Sequence, residues 1–150
     1  MGEIMMKQVK DEGIKQPQRY AEMPVITKEY CEKAIQFILK KIDENLDTFT
    51  YKFPAAASKN NVYPAVDNTC WTACFWTGMI WLAYEVTGDM KYRKVAEIQL
   101  ESYKERIEER IAVQTHDLGF LYSLSCIAAY RLTGNEEAKR VALKAADTLM

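Results

Sequence analysis

The chain has 150 residues, 49% of them hydrophobic and 27% charged, a balance that fits one folded domain and excludes a disordered chain. Lysine and arginine total 20 against 21 acidic residues, so no field of one sign exists to gather nucleic acid or to coat an anionic membrane. No apolar run approaches the ~20 residues of a membrane span, and the opening MGEIMMKQVKDEG lacks the apolar core of a secretory signal, so a cytoplasmic protein is expected.

Residues 1–25 are polar, carry Pro17 and Pro24 and show little periodicity, and they read as an N-terminal arm; residues 26–150 read as the folded domain. Gly2 suggests myristoylation, but Met6 stands where that signal wants serine or threonine. From Thr27, apolar residues recur at helical spacing through Tyr30, Ala34, Ile38, Ile42 and Leu46, which predicts a helix ending near Asn45. Residues 47–69 hold Pro54, Pro64 and no clear period, so they read as a long loop of the kind that is often functional.

An internal repeat follows. WLAYEVTGDMKYRKVA (81–96) aligns with IAAYRLTGNEEAKRVA (127–142), pairing Tyr84 with Tyr130 and Gly88 with Gly134 at an offset of 46 residues. Each copy is an apolar helix, a Thr-Gly followed by Asp89 or Asn135, and a more charged helix. The glycine suits a left-handed C′ position and the Asp or Asn suits the cap of the next helix. Such a hairpin repeated at this period predicts an all-α solenoid or closed helical toroid. The first helix of each copy is apolar almost all round and belongs inside, whereas the second belongs to an outer layer, with ESYKERIEER as its solvated side.

Extending the alignment backwards pairs Trp71 with Asp117 and Cys70 with His116, both at the N-terminal mouth of an inner helix. One rim therefore collects Asp67, Asn68, Trp71, Thr72, Phe75, His116 and Asp117. Free N–H groups and the positive dipole end suit such a rim to an anionic ligand such as a carboxylate. Asp117 also fits a plain helix cap, Asp67 and Asn68 fit turn formers, and Trp76 and Trp81 fit the core. Cys31, Cys70, Cys74 and Cys126 have no paired CxxC spacing, and His116 is the only histidine, so neither a metal site nor a cofactor is expected. Cys70 and Cys74, at i,i+4, fit one helix face; reduced core thiols are the simpler reading.

DNTCWTACFWTGMIWLAYEVTGD (67–89) and HDLGFLYSLSCIAAYRLTGNEEAKRVALKAADTLM (116–150) resemble the N-terminal part of the unsaturated glucuronyl hydrolases, glycoside hydrolase family eighty-eight. The resemblance runs from about residue 26 and is dense over 67–150. It implies α-hairpin repeats forming part of an (α/α)6 barrel. It also implies action on lyase-generated glycosaminoglycan-type disaccharides that carry a 4,5-unsaturated uronate at the non-reducing end. The implied reaction hydrates the double bond, with a proton added at C4 and water at C5, after which the hemiketal opens and frees the neighbouring sugar.

By the same resemblance, Asp117 matches the first of two essential aspartates, His116 its substrate-contacting neighbour, and Trp71 and Phe75 aromatic residues of the sugar cleft. A carboxylate at a helix N-terminus is biased towards its charged form, which suits an electrostatic or water-orienting partner better than a proton donor. The family commonly reads W-T-[DNT]-G-F-W where this chain has WTACFW, so Cys74 adds bulk at a glycine position. Its second essential aspartate belongs to an I-I-D-C-like segment beyond Met150. With about three hairpin units available, the chain reads as a fragment or as a piece that associates with another chain to cover an open half-barrel. A non-catalytic helical-repeat binding scaffold and a degenerate hydrolase remnant are the alternatives.

Overall fold

The computed structural model describes residues 13–21 and 25–150; the remainder of the arm, with Gly2 and Met6, lies outside the described residues. The chain forms two compact units, Met1–Ile35 and Gln36–Met150.

In the first unit, a single turn of helix, α1 (Pro17–Ala21), interrupts the segment predicted to be irregular. Proline at the first helical position gives up no hydrogen bond there and presets φ. The helix predicted from Thr27 is present as α2 (Lys28–Asn45), whose first half belongs to this unit. Thr27 Oγ1 accepts the Tyr30 N–H at 3.1 Å and so caps it.

The second unit begins with the C-terminal half of α2 and passes into a connection that is anchored rather than loose. Leu46, Phe49 and Phe53 are buried. Two short antiparallel strands, β1 (Phe53–Pro54) and β2 (Ala65–Val66), pair Phe53 with Val66 and Pro54 with Ala65. Between them a tight turn is closed by Lys59 and Val62, with Asn60 and Asn61 at φ 53° and 60°. Two successive positive φ angles define the turn whose twist matches a hairpin, and asparagine tolerates them better than most residues.

The repeat is realised as two helical hairpins. The first pairs α3 (Ala73–Thr87) with α4 (Met90–Glu108). The second is α5 (Leu118–Tyr122), a π-helical turn (Ser123–Ile127) and α6 (Ala128–Thr133), followed by α7 (Glu136–Leu149). Gly88 and Gly134 take φ of 69° and 72° and donate to the carbonyls of Tyr84 and Tyr130, while Asp89 and Asn135 cap α4 and α7 through their side chains. The hydroxyls of Thr87 and Thr133 return to the carbonyls of Ala83 and Ala129. The two connections share the glycine and threonine bonds and differ in the cap, Asp89 accepting the Lys91 N–H and Asn135 the Ala138 N–H. α3 packs on α4 and on the π-helical turn, and α4 packs on α7.

The core gathers Trp76, Ile80 and Trp81 of α3 with Tyr92, Leu100, Tyr103 and Ile107 of α4, and Leu121, Tyr122 and Cys126 of the second hairpin. A buried polar chain runs through it. Thr77 Oγ1 donates to Gln99 Oε1 at 2.7 Å and lies 2.9 Å from the Tyr103 hydroxyl. The Phe49 carbonyl accepts both the Gln99 amide and the Trp76 indole N–H, tying the connection to α3 and α4. The expectation that the inner helices are apolar all round and buried needs one correction: Phe75, Met79, Leu82 and Val86 form an exposed stripe along α3. Among the described residues no helix is long and apolar enough to cross a membrane.

Candidate active site

The two turns that lead into α3 and α5 build the rim. In the first, Asp67 turns outwards and its carboxylate pairs with Lys52. Asn68 is buried, donating to Ser102 Oγ at 3.1 Å and accepting from Arg106 Nη1 at 2.9 Å. Asn68 thus serves the turn from within, while Asp67 stays exposed. Cys70 precedes α3, so the two cysteines expected on one helix face do not share one. Thr72 donates to Cys70 Sγ. Cys74 is fully buried and its thiol donates to the Trp71 carbonyl at 3.3 Å. The added bulk at the family's glycine position is thus taken into the core; burial pushes this thiol up to about 11.

Trp71 and Phe75 stand apart from the core tryptophans. They are 45% and 43% exposed, whereas Trp76 and Trp81 are 5% and 1%. Their rings meet edge to face with centroids 5.8 Å apart. Phe120 closes a triangle at 6.2 Å from Trp71 and 6.4 Å from Phe75. Three half-exposed rings thus meet on one surface as a small apolar patch. Phe120 is not among the residues predicted for the rim, although its place in the first turn of an inner helix, like that of Phe75, is a usable signal.

Asp117 occupies the N-cap position of α5, yet its side chain makes no capping bond. Oδ2 instead accepts from Thr115 Oγ1 at 3.1 Å, and the same hydroxyl accepts the Asp117 N–H. His116 Nε2 lies 3.4 Å from Oδ1. The Asp117 side chain is 18% exposed, and that of His116 is 94% exposed. The carboxylate is therefore oriented by its neighbours and not spent on the helix. The orienting role of Thr115 leaves no mark in periodicity or repeat.

Arg106 departs further from expectation, because composition assigns the run ESYKERIEER to solvent and Arg106 is 2% exposed. Desolvation lowers its pKa, and its hydrogen-bond acceptors among the described residues are one side-chain amide and three backbone carbonyls. A cleft of about 330 Å³ beside it is lined by Thr69, Cys70, Trp71, Gln114 and Thr115. A larger groove of about 510 Å³ lies on the α2 side of Phe75, walled by Phe37, Ile38, Ile42, Trp76 and Met79. It is largely apolar, whereas the smaller cleft runs from Trp71 to Thr115, the residue whose hydroxyl holds Asp117. Among the described residues no group of histidine, cysteine and acidic side chains is placed to hold a metal ion.

The array of helical hairpins, with a carboxylate and aromatic rings at the mouths of its inner helices, agrees with part of a helical toroid. No family model matches the chain. It is 44% identical over 146 residues to the unsaturated chondroitin disaccharide hydrolase of Streptococcus pneumoniae (strain ATCC BAA-255 / R6), covering 97% of this chain and 37% of that protein. To the unsaturated glucuronyl hydrolase of Bacillus sp. (strain GL1) it is 42% identical over 119 residues, 79% of this chain and 32% of that protein. A crystal structure of an unsaturated glucuronyl hydrolase mutant from Streptococcus agalactiae complexed with dGlcA-GalNAc6S superposes with a TM-score of 0.89 at 45% identity, covering 96% of this chain and 38% of the other. The chain is a homologue of the unsaturated glucuronyl hydrolases of glycoside hydrolase family 88 and matches the N-terminal portion of these longer proteins. It spans about 37% of the length of the curated relatives it matches.

Proposed function

We propose that this chain supplies the Asp117 side of a cleft that hydrates the 4,5-unsaturated uronate of lyase-generated glycosaminoglycan-type disaccharides, releasing that uronate from the non-reducing end. The observation that carries the reading is the Asp117 carboxylate: it stands at the mouth of an inner helix, is held by Thr115 and is not used as a cap. Trp71, Phe75 and Phe120 offer the platform for the sugar rings, and His116 lines the approach. In the reaction a proton adds at C4 of the double bond and a water oxygen bonds C5, its own proton passing to a base. The hemiketal then opens and the bond to the neighbouring sugar breaks. Asp117, as an anion, orients the water and stabilises the positive charge that develops at C5. By the family resemblance, proton transfer at C4 belongs to a second aspartate.

The part of the exposed α3 stripe beyond Phe75, formed by Met79, Leu82 and Val86, is apolar surface with which we take a second polypeptide segment to associate. The test follows the ultraviolet absorbance of the double bond of an unsaturated chondroitin disaccharide, beside an Asp117→Asn control, with binding and circular dichroism measured on both. Loss of absorbance with the parent alone supports a working hydrolase. Binding by a helical chain with steady absorbance supports a disaccharide-binding site without turnover. A helical chain that does not bind the disaccharide refutes the reading and leaves a degenerate remnant or a scaffold for other partners.

A further inference from the structure

The two rim turns are joined by one side chain. Arg106 Nη1 donates to Asn68 Oδ1 at 2.9 Å and to the Cys70 carbonyl at 3.0 Å. Nη2 donates to the Thr69 carbonyl at 3.4 Å and, across the cleft, to the Ala112 carbonyl at 3.0 Å. Three acceptors belong to the turn that carries Trp71, and the fourth belongs to the turn that leads to Thr115, His116 and Asp117.

The second turn needs such support. Arg110 and Ala112 have φ of 57° and 48°, a left-handed conformation that side-chain-bearing residues keep only where surrounding contacts enforce it. The Arg106 carbonyl also accepts the Ile111 N–H at 2.8 Å, so the residue grips this turn from both its backbone and its side chain. A planar fork with donors at fixed angles can serve four separate oxygens at once, which an ammonium on a flexible stem cannot. The remaining donor, Nε, is buried without a partner among the described residues. A cation so placed is costly to bury, and what it brings is the joint position of two irregular backbones.

We propose that Arg106 is a positioning residue that fixes the separation of Trp71 from Asp117, so that one unsaturated disaccharide can touch both. The ligand in this statement rests on the function proposed above; the coupling of the two turns does not. The experiment uses Arg106→Lys and Arg106→Met, with amide hydrogen exchange resolved by residue, the indole N–H resonances of the three tryptophans, and disaccharide affinity. In Arg106→Lys the amides of 68–72 and of 112–117 are expected to exchange about tenfold faster together, with those of α3 and α4 unchanged. The Trp71 indole resonance moves while those of Trp76 and Trp81 hold, and the disaccharide Kd weakens by about tenfold. Arg106→Met, which keeps the stem and removes every donor, is expected to show the same paired loosening to a greater extent.

Loosening of only one turn overturns the proposal, as does loosening of both with Trp71 and the Kd unmoved. Global unfolding of Arg106→Lys assigns the residue a purely structural role and overturns it as well. If the parent chain does not bind the disaccharide, the proposed function fails, and the exchange and Trp71 readouts still decide the coupling.

Discussion

Thr77→Val tests the buried polar chain at its centre. The Phe49 carbonyl can only accept, so the Gln99 amide atom 2.6 Å from it is the nitrogen, which leaves Oε1 to accept from Thr77. With the Thr77 proton committed, the Tyr103 hydroxyl must be the donor in its 2.9 Å contact with Thr77. Valine keeps the volume but removes both functions, leaving Gln99 Oε1 and the Tyr103 O–H buried without partners. Each orphan costs about 1–3 kcal/mol, so the variant should lose about 2–6 kcal/mol. That is a large share of a typical domain's stability of about 5–15 kcal/mol. Thr77→Ser keeps the hydroxyl and drops a methyl, for about 1 kcal/mol. Tyr103→Phe leaves the Thr77–Gln99 bond intact and should cost about 0.5–1.5 kcal/mol. In the double variant Thr77→Val/Tyr103→Phe one orphan disappears and no Tyr103 bond remains to be lost, so the loss falls short of the sum of the single losses by about 1.5–4.5 kcal/mol. Urea denaturation of the four variants measures all of this. The reasoning fails if valine is no worse than serine, or if the two single losses add.

Two further outcomes follow from charge and burial. Glu137 is held down to about 2 by hydrogen bonds from Arg140 and then Lys104, so its contribution is present above the usual carboxylate value and is lost as pH falls from there through about 2. Glu137→Gln should therefore differ from the parent in urea midpoint by a constant amount above pH ~5, the gap closing towards pH ~2 and shrinking with added salt. Burial pushes the thiols of Cys74 and Cys126 up to about 11 and about 12. At pH ~8 a thiol reagent should therefore modify exposed Cys31 and half-buried Cys70. Cys74 and Cys126 should react only after denaturant is added; fast labelling of either in the folded chain contradicts their placement in the core.

The hairpins are legible in the sequence because their connections are chemical signatures. A Thr-Gly-Asp or Thr-Gly-Asn between apolar and charged runs specifies a left-handed glycine and a capping side chain, and both are present. The π-helical turn is not legible, because it answers to a neighbour. A Cβ on Gly78 would come within 3.2 Å of Leu124 Cβ, so the missing side chain lets α3 approach the second inner helix at that turn. There the Ala128 N–H reaches the Ser123 carbonyl, and the Ser125 hydroxyl takes the Leu121 carbonyl. Periodicity along one helix carries no trace of a glycine on another. The connection over 47–69 lies between these cases: Asn60–Asn61 is a readable turn pair, but burial of Phe49 and Phe53 depends on α3 and α4.

The rim shows the same division, and Arg106 shows where it can be crossed. Trp71, Phe75 and Asp117 are legible because the repeat places equivalent positions at one end of the array. Arg106 is hidden because the run around it is so charged that composition assigns it to water. Register says otherwise: the buried face of α4 passes through Tyr92, Val95, Ala96, Gln99, Leu100 and Tyr103, and the next steps of three and four fall on Arg106 and Ile107. An arginine on the apolar register of an otherwise solvated helix, near its end, has the reach to meet the irregular backbone beyond that end. Its acceptors here are carbonyls and an amide rather than a carboxylate, which is what a loop-binding cation finds and an ion pair does not. Charge weighed by register rather than by composition puts Arg106 on the buried face of α4, and from that face its guanidinium spans the two turns that carry Trp71 and Asp117.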